Sequence, residues 1–336
     1  MAEELSLLLE MYLATLDPPD VAAARRMANR SVHRDMGAEA FVEQVLVPAQ
    51  EEVGRRWQSN EYTVPQEHAA TAVTEAVLAT LAAQAPPARS IPGRIVSGCV
   101  EGEWHTLPLR MVSDTLVTQG RDVVYLGPSV PSPQLTGFLR DLDPVALLAS
   151  CTAANRFAGA RRTIEAAHAA GVPVVIGGRA LGTNSARADS LGADAWASSA
   201  STVGGVLARW TDRRPELAHA SEAGPEQAPL EHPRPALVEE CLGLLLKRQP
   251  RLREMTDIQV DRTREDLSCI MQFCGAALVS HDPTVLHEFT IWLRDLLAAR
   301  GVPAASVKAG YDAIAEVLGS GFPSTRRMLA ASSALI

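Results

Sequence analysis

The stretch that decides the fold is residues 94–108, which read RIVSGCVEGEWHTLP. Its first half, Ile95 to Val100, is a short and mostly apolar run, typical of a strand buried on both faces of a parallel sheet. Its second half places Glu103, Trp104 and His105 in the loop directly after that strand. Because ligands of open α/β sheets bind beyond the carboxyl ends of the strands, this stretch predicts a fold and a site together.

Four further β-branched or small-residue runs follow, separated by segments of helical length. They are Val123 to Leu126, Val145 to Ala149, Val174 to Ile176, and a weaker run at Ala193 to Ala197. This alternation predicts a parallel sheet of about five strands with crossover helices, a doubly wound α/β domain over residues 89–212. The loops after Val100 and Ala149 and the pair Gly177-Gly178 then share one edge.

The residues before the sheet have helical periodicity. Apolar side chains recur every three or four positions, which predicts a bundle of about four helices over residues 1–88. Turn and cap residues place the breaks at 17–20, 35–38 and 59–65, and Pro86-Pro87 with Pro92-Gly93 predict a linker before the sheet.

The residues after the sheet begin with a second linker. Residues 213–234 contain repeated prolines among Glu, Ala and His, a linker composition. Helical spacing then predicts an all-α domain over 235–322, with a helix stop at Pro250, followed by a loose tail over 323–336. The four predicted helical segments are 237–246, 258–278, 284–299 and 304–318.

The composition bounds the class of protein. Of the 336 residues, 47% are hydrophobic and 21% charged, which is typical of a soluble globular chain. The net charge of −8 provides no basic footprint for nucleic acid, and no apolar run is long enough for a membrane span. Five cysteines with no C-x-x-C pair favour reduced thiols, so we expect a cytoplasmic protein that binds neither DNA nor membrane.

The loop motif resembles that of cobalamin-binding domains, whose acidic-x-His-x-x-Gly sequence is matched by Glu103-x-His105-x-x-Pro108. Further along, Ser150-x-Thr152 and Gly177-Gly178 follow in the same order as in that family. Pro108 stands where glycine is usual and Thr152 where an aliphatic residue is usual, and both departures are tolerable at peripheral positions. A lone loop histidine is more often an ordinary surface residue, and a glycine pair is often a simple turn.

The resemblance implies a flavodoxin-like, doubly wound cobalamin-binding domain. His105 would be the lower cobalt ligand, displacing the cofactor's own benzimidazole, and Glu103 would fix the tautomer of its imidazole. Ser150 and Thr152 would meet the displaced nucleotide tail, and Gly177 and Gly178 would let it approach the backbone.

A second motif lies in the predicted bundle. Trp57 is followed after nine residues by Glu67-His68, which resembles the Trp-x9-Glu-His signature of adenosylcobalamin photoreceptors. The resemblance implies that Trp57 packs over the upper face near the adenosyl group and that Glu67 helps to hold that group. His68 would take the vacated cobalt position after light breaks the carbon–cobalt bond. The competing interpretation is a helix-end tryptophan and a surface histidine.

The last predicted domain resembles the globin-like fold of phycobiliproteins, through residues 301–310 and through 264–273, which resembles their chromophore-bearing helix. Asp266 falls at the carboxylate that meets the bilin pyrrole nitrogens, and Arg262 and Arg264 are placed to meet its propionates. Thr263 stands where the thioether cysteine is expected, which argues against covalent attachment there.

Other interpretations of this domain stay open. Such an arginine pair is often a solvated helix face. Haem, with His281 or His287 as axial ligand, is a competing cofactor. An empty globin-like interaction domain is the third possibility.

Together the segments resemble photocobilins, photoreceptors that combine cobalamin with a bilin. That family implies a non-enzymatic light sensor with adenosylcobalamin and biliverdin or another bilin, acting as a homo-oligomer on a downstream effector protein. The alternative is a corrinoid methyl carrier that serves partner methyltransferases, and a third possibility is a cobalamin-dependent interaction protein. The capping motif favours the sensor, because a methyl carrier needs an open upper face.

Overall fold

The protein is described from a computed structural model over residues 2–34, 36–84, 91–222, 224–249 and 254–336. Three residues named above as breaks or linker marks, Asp35 and the pair Pro86-Pro87, lie outside the described residues, as does Pro250. The fold class predicted from the sequence is confirmed as a helical N-terminal bundle, a parallel α/β domain and a helical C-terminal region.

The N-terminal bundle is built from helices that bury one apolar stripe each. Tyr12 and Phe41 meet edge to face in its core with ring centroids 6.1 Å apart, an arrangement that aromatic rings favour. The helices are α1 (Ala2–Leu13), α2 (Val21–Arg34), α3 (Ala38–Phe41), which continues through a π-helical turn (Val42–Leu46) into α4 (Val47–Gln58), and α5 (Val64–Ala82).

The α/β domain is a five-stranded parallel sheet. Its strands are β1 (Ile91–Cys99), β2 (Arg121–Gly127), β3 (Ala146–Ser150), β4 (Val174–Gly177) and β5 (Ala195–Trp196). Its helices are α6 (Leu107–Thr118), α7 (Ser132–Leu142), α8 (Phe157–His168), α9 (Ala186–Leu191) and α10 (Ala200–Asp212). The strand order is β2-β1-β3-β4-β5, so the order of strands reverses direction between β1 and β3. A reversal of this kind opens a crevice at the carboxyl edge, where ligands of such sheets bind.

The start of β1 corrects one sequence prediction. Pro92-Gly93 was interpreted as part of a linker, yet it lies inside β1. The ladder with β2 is irregular between Ile91 and Arg94, and Gly93 takes a φ of +94° there. Glycine adopts that left-handed conformation without strain, so the strand continues through residues that usually interrupt one.

The C-terminal region packs on the α/β domain and shares its core. Its helices are α11 (Gln227–Glu231), α12 (Pro235–Arg248), α13 (Asp257–Val279), α14 (Thr284–Ala299), α15 (Ala304–Leu318) and α16 (Pro323–Ser333). Leu230, Met271 and Leu329 belong to the same buried cluster as Phe157 and Ile176 of the α/β domain. The two parts therefore bury apolar surface against each other.

An arginine reinforces this junction. Arg187 of α9 is 7% exposed and donates to Asp282 at 2.8 Å and to Glu288 at 2.7 Å, both on the C-terminal side. It also donates to the carbonyl of Ala180 at 2.9 Å. Because a buried guanidinium needs partners for its donors, this contact fixes the relative placement of the two parts.

One segment predicted as irregular is helical, and another contains a short helix. Residues 323–336, predicted as a loose tail, form α16 over most of their length, with Leu329 only 1% exposed. The predicted linker 213–234 contains α11, and its Glu226 accepts the backbone N–H groups of Ser324 and Thr325 at 2.9 Å each. The prediction of a loose tail was wrong because a distant carboxylate caps α16, and no local signal shows such a cap.

No helix in the described part of the chain is both long and apolar enough to cross a membrane.

Candidate functional site

The centre of the candidate site is the loop between β1 and α6. Glu103 in this loop is 1% exposed, whereas the side chain of His105 is 65% exposed. One carboxylate oxygen of Glu103 accepts the His105 backbone N–H at 2.9 Å and lies 2.6 Å from its Nδ1. The other accepts the backbone N–H groups of Thr152 at 2.7 Å and Ala153 at 3.0 Å. The buried carboxylate thus joins the loops after β1 and β3, on either side of the strand-order reversal.

These contacts set the ionisation of the pair. Burial alone would raise the pKa of the Glu103 carboxyl, but the hydrogen bonds from His105 and the backbone outweigh it and lower the pKa to about 2. The same hydrogen bond raises the pKa of His105 against the effect of its burial, and the charge of Glu67 adds to the rise. Because an ionised carboxylate only accepts, His105 donates from Nδ1 and keeps Nε2 as the free donor atom for a metal.

The loop after β3 fits a bound cofactor. Ser150 is buried, and the backbone N–H of Cys151 donates to the Gly177 carbonyl at 2.9 Å. The hydroxyl oxygen of Thr152 is buried and has no hydrogen-bond partner within the described residues. A buried hydroxyl without a partner is costly, so a ligand with polar groups beside Thr152 would stabilise it. The residues present therefore fit a bound cobalamin.

Gly177 and Gly178 are needed by the protein's own backbone. A Cβ on Gly177 would lie 2.5 Å from the Ala197 carbonyl oxygen, and one on Gly178 would lie 2.3 Å from that of Cys151. Gly178 also has a φ of +106°, which favours glycine. The close approach that the resemblance assigned to the cofactor tail is therefore made, at least in part, by the sheet's own loops.

Glu67 and His68, two of the three residues predicted to cover the upper face of cobalamin, lie near the start of α5. Thr63 and Gln66 form a reciprocal capping box at this helix end, which fixes the direction of the turn carrying Glu67 and His68. The side chain of His68 is 74% exposed and its Nδ1 is hydrogen-bonded to Glu67, which also accepts from Thr71 at 3.1 Å. Glu67 therefore engages Nδ1 of His68 as Glu103 engages Nδ1 of His105, which leaves Nε2 of the exposed His68 for a ligand.

The bundle lies against the His105 loop. Leu107 and Met111, in the first turns of the helix that follows His105, are buried in the core of the bundle. Helix α5, which carries Glu67 and His68, also packs on α6, and the charge of Glu67 adds to the raised pKa of His105. The two histidines predicted as lower and upper ligands therefore belong to surfaces that the fold packs side by side.

Trp57 has a neighbour in the C-terminal region that the resemblance did not imply. It ends α4, and its ring packs at 6.3 Å centroid to centroid, with a 29° interplanar angle, against Trp292 of α14. The guanidinium carbon of Arg300 lies 5.3 Å from the centroid of the Trp57 ring. Trp57 thus contacts the C-terminal region directly.

The predicted bilin residues lie on α13 and do not all converge. Arg262 is 74% exposed and pairs with Glu265 at 2.6 Å, while Arg264 pairs with Glu239 and Asp261. Both arginines are thus engaged by neighbouring carboxylates, which favours the interpretation of a solvated helix face for them. Thr263 donates to the Gln259 carbonyl at 2.8 Å within the helix.

Asp266 differs from those arginines. It is partly buried, and burial, with the charge of Glu265 adding, raises its pKa to about 6. It accepts no hydrogen bond from another described residue, which leaves its carboxyl available to a ligand.

The two histidines considered as haem ligands follow Asp266 in the chain and differ from each other in exposure. His281 is exposed, with a φ of 52°, at the end of α13. His287 lies on α14, and its Nε2 is buried without a hydrogen-bond partner within the described residues.

Several residues of the site were missed by sequence reasoning. Arg156 follows β3, and its charge lowers the pKa of His105 against the larger effect of Glu103. Asn155 donates to Gln272 of α13 at 3.0 Å, which joins the cofactor loop to the C-terminal region. Trp292 and Arg300 were also missed. Each acts through a partner that is distant in the chain, so no local pattern signals it.

Comparison with known proteins agrees with this geometry. Residues 8–82 and residues 93–203 each match a family model described as a B12 binding domain. The two segments correspond to the bundle and to the sheet with most of its helices. The two matched segments define a cobalamin-binding protein.

Two individual proteins are similar. The chain is 32% identical over 152 residues to the HTH-type transcriptional repressor CarH of Myxococcus xanthus, covering 44% of this chain. It spans about half the length of that relative, 50%. The monomethylamine corrinoid protein of Methanosarcina barkeri superposes with a TM-score of 0.54 at 17% identity, over 61% of this chain and 98% of that one. The latter likeness concerns the fold alone.

Proposed function

We propose that this protein is a light-sensing photoreceptor that uses adenosylcobalamin, with His105 as the lower cobalt ligand and His68 as the upper ligand after illumination. The observation that carries the proposal is the packing of the bundle on the His105 loop, which buries Leu107 in the bundle core. It supports the proposal because α5, which carries Glu67 and His68, packs on α6, the helix that follows His105.

The cofactor supplies a carbon–cobalt bond that visible light breaks. The chain supplies the groups that make such a break useful. His105 would hold cobalt through Nε2 because Glu103 engages its Nδ1, and Glu67 likewise engages Nδ1 of His68 and leaves Nε2 for a metal. A second histidine that binds only after light gives the two states different contacts, which is what shifts a conformational equilibrium.

The similarity to a transcriptional repressor supports a regulatory role. We propose that the chain is not an enzyme and that it acts as a homo-oligomer on an effector protein in the cytoplasm. The net charge of −8 opposes direct contact with nucleic acid, so the effector would carry the output.

An absorption spectrum of the full chain with adenosylcobalamin, in the dark and after illumination, tests the sensor. We expect adenosylcobalamin to be bound in the dark. After illumination, we expect a lasting change to the spectrum of cobalt with histidine on both faces. A spectrum that returns to the dark form within seconds, together with methyl transfer from bound methylcobalamin to a partner methyltransferase, would instead establish the corrinoid methyl carrier.

We further propose that the C-terminal region is a globin-like domain that holds a bilin such as biliverdin as a second chromophore, as in photocobilins. Asp266 supports this, because a partly buried carboxyl without a partner can meet the pyrrole nitrogens. The ion-paired Arg262 and Arg264 would have to exchange their carboxylate partners for propionates.

Protein produced with a source of biliverdin tests this second proposal. We expect a red-absorbing band that Asp266→Asn shifts or bleaches, and a pigment that acid denaturation releases, because Thr263 replaces the attachment cysteine. Preferential loading with haem, abolished by His287→Ala or His281→Ala, would contradict the bilin assignment.

A further inference from the structure

Trp57 is held from outside its own bundle by two residues of the C-terminal region. The ring of Trp292 packs against it at 6.3 Å, and the guanidinium of Arg300 lies 5.3 Å from its centroid. Arg300 also donates from Nη2 to the Trp57 carbonyl and from Nη1 to the Gln58 carbonyl, each at 3.1 Å. Both the ring and the backbone of Trp57 are therefore bound, by α14 and by the residue that follows it.

The chemistry of helix ends explains why an arginine occupies this position. The last carbonyls of α4 have no partner within the helix and form the negative end of its dipole. Arg300 donates to two of them and, in addition, to the Leu296 carbonyl near the end of α14 at 2.9 Å. A planar guanidinium with five donors can bridge two helix ends and lie against an indole, whereas a lysine ammonium cannot.

The contact extends into the C-terminal region as a row of aromatic rings. Trp292 lies 5.8 Å from Phe289, and Phe289 stacks on Phe273 at 3.8 Å with an 11° interplanar angle. Phe273 belongs to α13, seven residues after Asp266 and so on nearly the same face of that helix. Packed rings thus run from the helix of Asp266 to the end of α4.

We infer that Trp292 and Arg300 are positioning residues for Trp57, so that the C-terminal region sets how firmly the bundle closes over cobalamin. The closing role of Trp57 rests on the proposed function, whereas the clamp on α4 stands on the contacts alone. A ligand of α13 that displaces Phe273 would change the clamp, and reciprocally the state of the cap would change the affinity for that ligand.

Amide hydrogen exchange of the full chain without cofactor tests the clamp. In Arg300→Ala and in Trp292→Ala we expect exchange in residues 52–62 to quicken by about tenfold, with strands β1 to β4 unchanged. Arg294→Ala is the matched control, because Arg294 lies on the same helix but donates to Asp295 and the Leu335 carbonyl. Unchanged exchange in residues 52–62 in both clamp variants overturns the inference.

Cofactor binding tests the consequence for the cap. We expect adenosylcobalamin to bind several-fold more weakly, and its photolysis to leave fewer molecules with histidine on both faces, in Trp292→Ala and Arg300→Ala. Trp292→Phe, which keeps an aromatic ring, should restore both, and Arg300→Lys should not. Equal affinity and equal photoproduct in all variants overturns the positioning role even if the wild type is photoactive. If the wild type does not respond to light but the variants still differ from it in hydrogen exchange and cofactor affinity, the proposed sensor function is overturned and the inferred clamp is retained.

Discussion

The Nδ1 atom of His105 lies 2.6 Å from Oε1 of Glu103, and the same oxygen accepts the His105 backbone N–H at 2.9 Å. A single carboxylate oxygen therefore fixes both the backbone turn and the orientation of the imidazole. With its second oxygen on Thr152 and Ala153, Glu103 builds the ligand position before any cofactor arrives.

Replacing Glu103 by Gln should weaken cobalamin binding. Four N–H groups point at the two carboxylate oxygens, and an amide would present its own donors to some of them. We expect affinity for adenosylcobalamin to fall by about 10–100-fold in a spectroscopic titration, as when outer partners of metal-bound histidines are removed. Glu101→Gln is the control, because Glu101 bonds Arg162 and the Ser132 backbone instead. Equal losses in the two variants would show that Glu103 does not orient the ligand.

Replacing Asp266 by Asn should stabilise the fold in a pH-dependent way. The folded-state pKa of about 6 lies above the ordinary value of 3.8, so the ionised form is disfavoured by folding and the carboxyl destabilises the protein above pH 6. We expect Asn to raise the free energy of unfolding by roughly 1–2 kcal/mol at pH 7.5, allowing for partial exposure. The gain should shrink as the pH falls from about 6 and vanish below 3.8. Denaturant titrations at pH 7.5 and pH 4 measure it, and a gain that grows with acid would contradict the assigned shift.

Adding a methyl group at Gly178 should disturb the cofactor loop. The new Cβ would lie 2.3 Å from the Cys151 carbonyl oxygen, on a residue whose φ is +106°. Gly171→Ala is the matched control, since it has a φ of +75° but no atom within 4 Å of the added Cβ. We expect Gly171→Ala to cost about 1 kcal/mol of unfolding free energy and Gly178→Ala roughly 3 kcal/mol, with weaker cobalamin binding only in the latter. Equal costs in denaturant titrations would mean that the loop yields freely.

The elements of the fold that depend on local residue patterns could be predicted from the sequence. Apolar runs with turn residues between them predicted β1 to β4, and the motif around Glu103 lies in the loop after β1, as predicted. The two-residue strand β5 was visible only as a weak run, because so short an edge strand needs few apolar residues.

The features that the sequence did not predict depend on distant partners. Helix α16 has few apolar residues and is completed by Glu226, nearly a hundred residues earlier. The clamp of Trp292 and Arg300 on Trp57 joins positions more than two hundred residues apart. Neither feature has a periodicity or a motif spacing in the sequence, because both arise from contacts between residues that are far apart in the chain.

The most direct test of the central claim compares the wild type with His68→Ala after illumination with adenosylcobalamin bound. Both should bind the cofactor in the dark, because His105, Glu103 and the Thr152 loop are unchanged. After light, we predict that the wild type shows a stable spectrum of cobalt with histidine on both faces, and that His68→Ala shows water on the upper face. Identical spectra for the two illuminated proteins would contradict the account, since His68 would then not be the residue that captures cobalt.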